Sequence, residues 1–234
     1  MGKSGIAGKE GKYADWVYQG DHMLGQIMDA LEKNGQARNT LLIATGDNGA
    51  ARRPYPPLRE AKSSIYEGGH REPFVARWPG KIKPGTVSHS IICLNDFFAT
   101  CADILKTDLP ANAAEDSVSF LPNLLNKKDA PVRQAIINQA SEGLAVRQGF
   151  WKYIVFRNGT RELYNLKEDI SETKDFSKTN TEVVTRLEKI MKSYFARGRS
   201  TPGPMQKKEF ELPFGRKSEK KRNKKNRGAS PNIK

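Results

Sequence analysis

Asp47 and Asn48 stand side by side at the end of the run Leu41–Gly49, LLIATGDNG, where an apolar stretch gives way to an acid, an amide and a glycine. One charged and one neutral oxygen donor suit a hard cation such as Ca²⁺ or Mg²⁺ better than zinc. The same residues are ordinary turn formers, so the motif alone leaves a turn and a metal loop both open. Lys62 follows 15 residues after Asp47, within PLREAK, and Glu67-Gly68-Gly69 comes next, its glycines letting the backbone turn beneath a ligand. A lysine is ordinarily a solvated surface charge. Beside a cation site it would neutralise an anion's oxygens as charge develops on them.

These residues need a scaffold to hold them. Tyr13 to Asn34 reads as a helix, with Val17, Leu24, Ile27, Met28 and Leu31 at three- and four-residue steps and Gly35 as its terminating residue. The strand Leu41 to Thr45 is a continuous apolar run, expected in a parallel strand covered on both faces. Helix, short loop and strand make an α/β unit, and such sheets bind ligands at the carboxyl ends of their strands. Asp47 and Asn48 fall there. Phe74 to Trp78 is a second short strand, and Asn95 or Asp96 caps a helix through Leu105. Asp108 to Asp129 reads as loop.

After about Gln134 the texture changes to four short strand-like runs, Gln134–Asn138, Gly143–Arg147, Trp151–Arg157 and Glu162–Asn165. Asn158-Gly159 is a hairpin turn between the last two. Thr181 to Ala196 is an amphipathic helix with Val184, Leu187, Ile190, Met191 and Tyr194 on one face. The segment reads as a small antiparallel sheet packed by one helix. No internal repeat is evident.

The other candidates carry less. His70, beside Arg71, reads as structural rather than as an acid or base, and His22 and His89 have no evident partners. Arg52 and Arg53 follow the acid–amide pair on a loop, where charges are ordinarily only solvated. Asp103 reads as a cap or surface residue, and Asn158-Gly159-Thr160, formally a glycosylation sequon, is explained by the hairpin. Cys93 and Cys101 lack the CxxC or paired-histidine spacing of a zinc site and read as buried thiols.

At 234 residues the chain is long enough for one large or two modest domains. Its net charge of +14 is concentrated at one end. From Gln206 to Lys234 there are 11 Lys or Arg against 3 Glu, a net of +8. That tail has too few apolar residues to pack and is expected to be disordered, either simply solvated or in contact with an anionic polymer. No run approaches the roughly 20 apolar residues of a membrane-spanning helix, and MGKSGIAGKE has no apolar core of a signal peptide. The expectation is a cytoplasmic chain or one whose true N-terminus lies upstream.

The ordered series DNG, PLREAK and YEGGHREPFVARWPGKI, preceded by YADWVYQGDHMLGQIMDALEKNGQARNTLLIAT, resembles the type I sulfatases, the arylsulfatase-like branch of the alkaline phosphatase superfamily. The resemblance covers roughly Tyr13 to Ala196. It implies an α/β fold: part of an alkaline-phosphatase-like sheet-and-helix domain over residues 1–130, a small antiparallel-sheet-plus-helix subdomain over 131–205 and the basic tail over 206–234. It also implies that Asp47 and Asn48 are ligands of one divalent cation, usually Ca²⁺, and that Lys62 touches the sulfate group. The implied substrate is a sulfated small molecule or glycan, and the implied location is extracytoplasmic.

Such enzymes hydrolyse sulfate monoesters with a formylglycine made from the first residue of C/S-x-P-x-R. Neither Cys93, followed by Leu-Asn-Asp, nor Cys101, followed by Ala-Asp-Ile, starts that motif, and no serine does. The family's N-terminal metal-binding acid pair and its other sulfate-contacting Lys and His residues are also missing. Ca²⁺ takes about 6 to 8 oxygens, of which Asp47 and Asn48 supply at most about three. The chain is therefore expected to be a sulfatase C-terminal portion, from a truncated or split gene, and inactive by itself. Two alternatives are a phosphatase or phosphodiesterase of the same superfamily, disfavoured by only 3 His, and a non-catalytic binder of anionic polymers.

Overall fold

The computed structural model describes residues 5, 8–51, 55–127 and 133–206, with no side-chain description for 8–10. Arg52, Arg53 and nearly all of the basic tail lie outside these residues. The helices and strands among the described residues are α1 (Gly8–Lys33), β1 (Leu42–Thr45), β2 (Phe74–Arg77), α2 (Asp96–Leu105), α3 (Leu121–Leu124), β3 (Ile136–Ala140), β4 (Gly143–Gln148), β5 (Trp151–Phe156), β6 (Arg161–Asn165) and α4 (Thr181–Arg197). The result is a mixed α/β architecture with two sheets.

Helix α1 starts five residues before the expected boundary and ends at Lys33, one residue before the expected Asn34. Gly35 adopts φ +65°, and the Gln36 N–H donates to Leu31 O over 2.9 Å, closing the helix with a left-handed residue that glycine takes without strain. The expected parallel pairing of the following strand is corrected. β1 pairs antiparallel with β2, Leu42 opposite Arg77 and Thr45 opposite Phe74, and none of its four residues is fully buried. An unbroken apolar run signals burial in general; partner direction depends on what the chain does 30 residues later, which local pattern does not encode.

Helix α2 begins after Asn95, as capping chemistry predicts, but Asp96 does the work. Its carboxylate accepts the Cys93 N–H (2.9 Å) and the Val118 N–H (2.9 Å) and pairs with the buried Arg133. Cys93 is half-buried, its thiol pushed up to about 11 chiefly by burial, whereas Cys101 is exposed, so only one of the two expected buried thiols is partly so. The 108–129 loop carries one short helical turn, α3.

β3 to β6 form the expected antiparallel meander, in the order β3-β4-β5-β6. Gly159, at φ +88°, closes the β5–β6 hairpin. Side chains alternate between two covered faces. Leu144, Val146, Tyr153, Val155 and Leu163 pack with Leu187 and Met191 of α4. Ala145, Ile154, Tyr164 and Leu166 pack instead with Ile65 and Tyr66 from the connection between β1 and β2. This second layer makes β4 and β5 nearly continuous buried runs.

Candidate functional site

Asp47 and Asn48 lie just beyond the end of β1, Asp47 exposed and Asn48 half-buried. Backbone hydrogen bonds tie their loop to the two downstream segments. The Gly49 N–H donates to Gly69 O over 3.0 Å, and the Lys62 N–H donates to Ala50 O over 3.1 Å. Gly68 N–H in turn donates to Arg59 O over 2.9 Å. The structure thus brings the DNG, PLREAK and EGG segments together, although 22 residues separate Asp47 from Gly69.

The glycines make this stacking possible. A Cβ at Gly49 would sit 1.8 Å from Gly68 O, and one at Gly69 would sit 2.0 Å from Ser64 O. Three layers of backbone pass closer than any side chain permits. Gly46 serves the same purpose: its missing Cβ leaves room for Glu72 Oε2, 2.0 Å from where that carbon would be. Burial and the negative charge of Asp47 both raise the Glu72 carboxyl above its ordinary range, against a smaller opposing effect of His70. Sequence reading missed Glu72; an acid between two prolific surface residue types, Arg71 and Pro73, gives no periodic signal.

Glu72 thus lies near Asp47, which is followed by Asn48, and oxygen donors of this kind suit a hard cation. Among the described residues no group of three or more His, Cys, Asp or Glu stands close enough to hold a metal ion. The donor type suits Ca²⁺ or Mg²⁺; the donor number among the described residues falls short.

The turn that carries Gly69 is anchored by a buried ionic cluster around Glu67. Glu67, 1% exposed, accepts from Lys152 Nζ at 3.0 Å and faces His70 Nε2 at 3.3 Å, Arg71 at 3.2 Å and Arg147 at 3.4 Å. Burial alone would raise the Glu67 carboxyl. The hydrogen bond from His70 and the charges of Lys152, His70 and Arg147 outweigh it and hold the group well below the usual carboxylate range. His70 is thus a structural partner of Glu67, in agreement with its sequence reading. A second set clamps the same loop. Tyr66 and Tyr164 both donate to Glu162 Oε2, at 2.7 and 2.8 Å, while Arg59 stacks 3.7 Å above the Tyr66 ring and donates to Glu172 O.

Two family models match the chain: "Sulfatase" over residues 9–107 and "N-sulphoglucosamine sulphohydrolase, C-terminal" over residues 61–197, the latter more than half of its length. The chain belongs to the sulfatase family. This sulfatase chain is 34% identical over 223 residues to an N-acetylgalactosamine-6-O-sulfatase of Bacteroides thetaiotaomicron, a match covering 82% of the chain and 42% of that relative. Its fold superposes with TM-score 0.73 and 26% identity on a structure of Ps i-CgsB in complex with k-i-k-neocarrahexaose, covering 86% of this chain and 46% of that one. A third match, at TM-score 0.66 and 25% identity, is BT4656 in complex with its substrate D-glucosamine-2-N,6-O-disulfate, covering 80% and 41%. The sulfatase chain thus spans less than half the length of these relatives. No helix among its described residues is long and apolar enough to cross a membrane.

Proposed function

We propose that this chain supplies one part of a sulfatase active site, for hydrolysis of a sulfate monoester on a sugar or glycan. Asp47 and Asn48 would hold a Ca²⁺ or Mg²⁺ ion, which when bound polarises the sulfate oxygens as a Lewis acid. Lys62 would place its ammonium against the same sulfate group and stabilise charge that builds there as the S–O bond to the sugar breaks. The remaining cation ligands and the formylglycine nucleophile would come from the C/S-x-P-x-R half of the domain, outside this sequence, so the chain by itself would not turn over substrate. We also assign residues 1–130 and 131–205 to the main domain and its small C-terminal subdomain, and an extracytoplasmic location to the working enzyme. The tail from Gln206 would add a non-catalytic contact to anionic polymers.

One observation carries the site: the Gly49–Gly69 and Lys62–Ala50 backbone hydrogen bonds lock the acid–amide loop to the lysine-bearing loop. The sulfated sugars named with the relatives support the substrate class.

The test joins this chain to an upstream half bearing the nucleophile motif and measures Ca²⁺ binding by calorimetry and release of sulfate from N-acetylgalactosamine 6-sulfate. Asp47→Ala should abolish the calcium heat, and Lys62→Ala should lower kcat by about 100-fold or more, the scale of losing one preorganised charge-stabilising group. Normal calcium binding and turnover in both variants would discard the assignment.

A further inference from the structure

Lys152 points from the middle of β5 into the layer between the sheet and the loop, where it is 1% exposed. Its Nζ lies 3.0 Å from Glu67 Oε1 and 2.8 Å from Glu172 Oε1, and both acids are as buried as the lysine. The contact to Glu67 is a directed hydrogen bond; that to Glu172 is an ion pair off the hydrogen-bonding angle. Glu172 closes the triangle, its Oε2 accepting the Glu67 backbone N–H over 2.6 Å.

An apolar trio of similar volume would hold these segments together at least as firmly. Burying charges costs desolvation that attraction only roughly offsets. What the ionic arrangement adds is geometry: a buried lysine between two carboxylates has one satisfactory placement, and a slipped loop would leave a bare charge in the core. The placement is passed on without slack. Glu67 starts the turn Glu67–Gly69, Gly69 O accepts from Gly49, Gly68 is in backbone contact with Arg59 and Glu60, and Lys62 donates to Ala50. Close-packed backbone transmits a shift that a flexible side chain would absorb. A second anchor, Glu142 from the β3–β4 turn, accepts from Ile65 N–H (2.8 Å) and Ser64 Oγ (3.1 Å) on the same loop.

We propose that Lys152, with Glu67 and Glu172, is a positioning group for the sulfate site: it sets Lys62 and the Asp47–Asn48 loop in register on the C-terminal sheet. This rests on the sulfatase reading of Lys62 above. The joint itself touches neither substrate nor cation.

The test measures amide hydrogen exchange by NMR on the full chain. Lys152→Met should speed exchange at the Gly49 and Lys62 amides by about tenfold or more, a local opening made about 1.4 kcal/mol easier. Leu187→Ala, which destabilises the opposite face of the same sheet, should leave those two amides within about twofold of wild type under native conditions. Glu172→Gln, which keeps an acceptor for the Glu67 N–H, should fall between, and it serves as the readout if Lys152→Met does not fold. Unchanged exchange at Gly49 and Lys62 in both triangle variants would overturn the proposal. So would equal acceleration in Leu187→Ala, which would make Lys152 merely a stabilising residue. The cation assignment is tested separately on the two joined halves described above, so its failure is distinguishable from a failure of the exchange result.

Discussion

Gly49 and Gly69 meet backbone to backbone, the amide of the first donating to the carbonyl of the second over 3.0 Å. Through this contact the end of strand β1 rests on a loop that is itself stapled to the C-terminal sheet. The candidate site lies within residues 47–72 but is braced by the C-terminal sheet, so its geometry depends on residues far from Asp47 in sequence.

Gly49→Ala should disturb that contact directly. The added methyl would meet Gly68 O at 1.8 Å, and the obstacle is backbone, which cannot swing aside. Overpacking of this kind costs about 1–3 kcal/mol, visible as a lower thermal midpoint. The Lys62 amide resonance should move with it. A variant with wild-type midpoint and an unmoved Lys62 signal would show that the layers are looser than described.

Glu67 gives a pH signature of definite sign. Its folded carboxyl is held below the ordinary 4.5, so its contribution is fully present above that value and is lost as pH falls beneath it. Glu172, raised by burial despite the charge of Lys152, works in the opposite direction. Comparing wild type with Glu67→Gln removes only the first. The stability gap between them, measured by urea denaturation, should be large at pH 7 and shrink steadily as pH drops below about 4.5. A gap independent of pH would mean that Glu67 acts only by packing.

At the alkaline end four tyrosines should resist ionisation. Burial lifts Tyr153 to about 12 and raises Tyr194, and burial together with the shared Glu162 acceptor lifts Tyr66 and Tyr164 above their ordinary range. Each prefers its neutral form when folded, so stability falls as pH rises above 10, where the unfolded chain releases these protons. Absorbance titration should show these four ionising only with unfolding.

The core between α4 and the sheet predicts its own loss. Leu187 is fully buried against Leu144, Val146, Tyr153 and Leu163. Leu187→Ala should cost about 2–5 kcal/mol, read from the denaturation midpoint at constant slope. A loss under about 1 kcal/mol would indicate a site that collapses around the smaller residue.

Removing residues after Gln206 tests the basic tail. The full chain should bind heparin with an affinity that falls steeply with added salt, and the shortened chain should show a shallower dependence because a net of +8 has been reduced to almost none in that segment. Equal affinity in both would place polymer binding elsewhere.

The sequence by itself determined the elements whose signals are local. The Gly35 helix stop, the Asn158-Gly159 hairpin, the four-strand meander and the Leu187–Met191 face of α4 all appear as read, because capping, turn conformation and side-chain periodicity act within a few residues. It also put forward the acid, amide and lysine of the candidate site, through the order of their motifs, and the structure adds the backbone hydrogen bonds between their loops. Tertiary structure decided the rest. That β1 runs antiparallel to β2, that Glu72 comes to Asp47 past Gly46, and that Lys152 in an apolar strand finds Glu67 and Glu172 are all contacts between distant segments. No local preference distinguishes a buried lysine with two carboxylates from an exposed one, since the cost of its charge is set entirely by what folds over it.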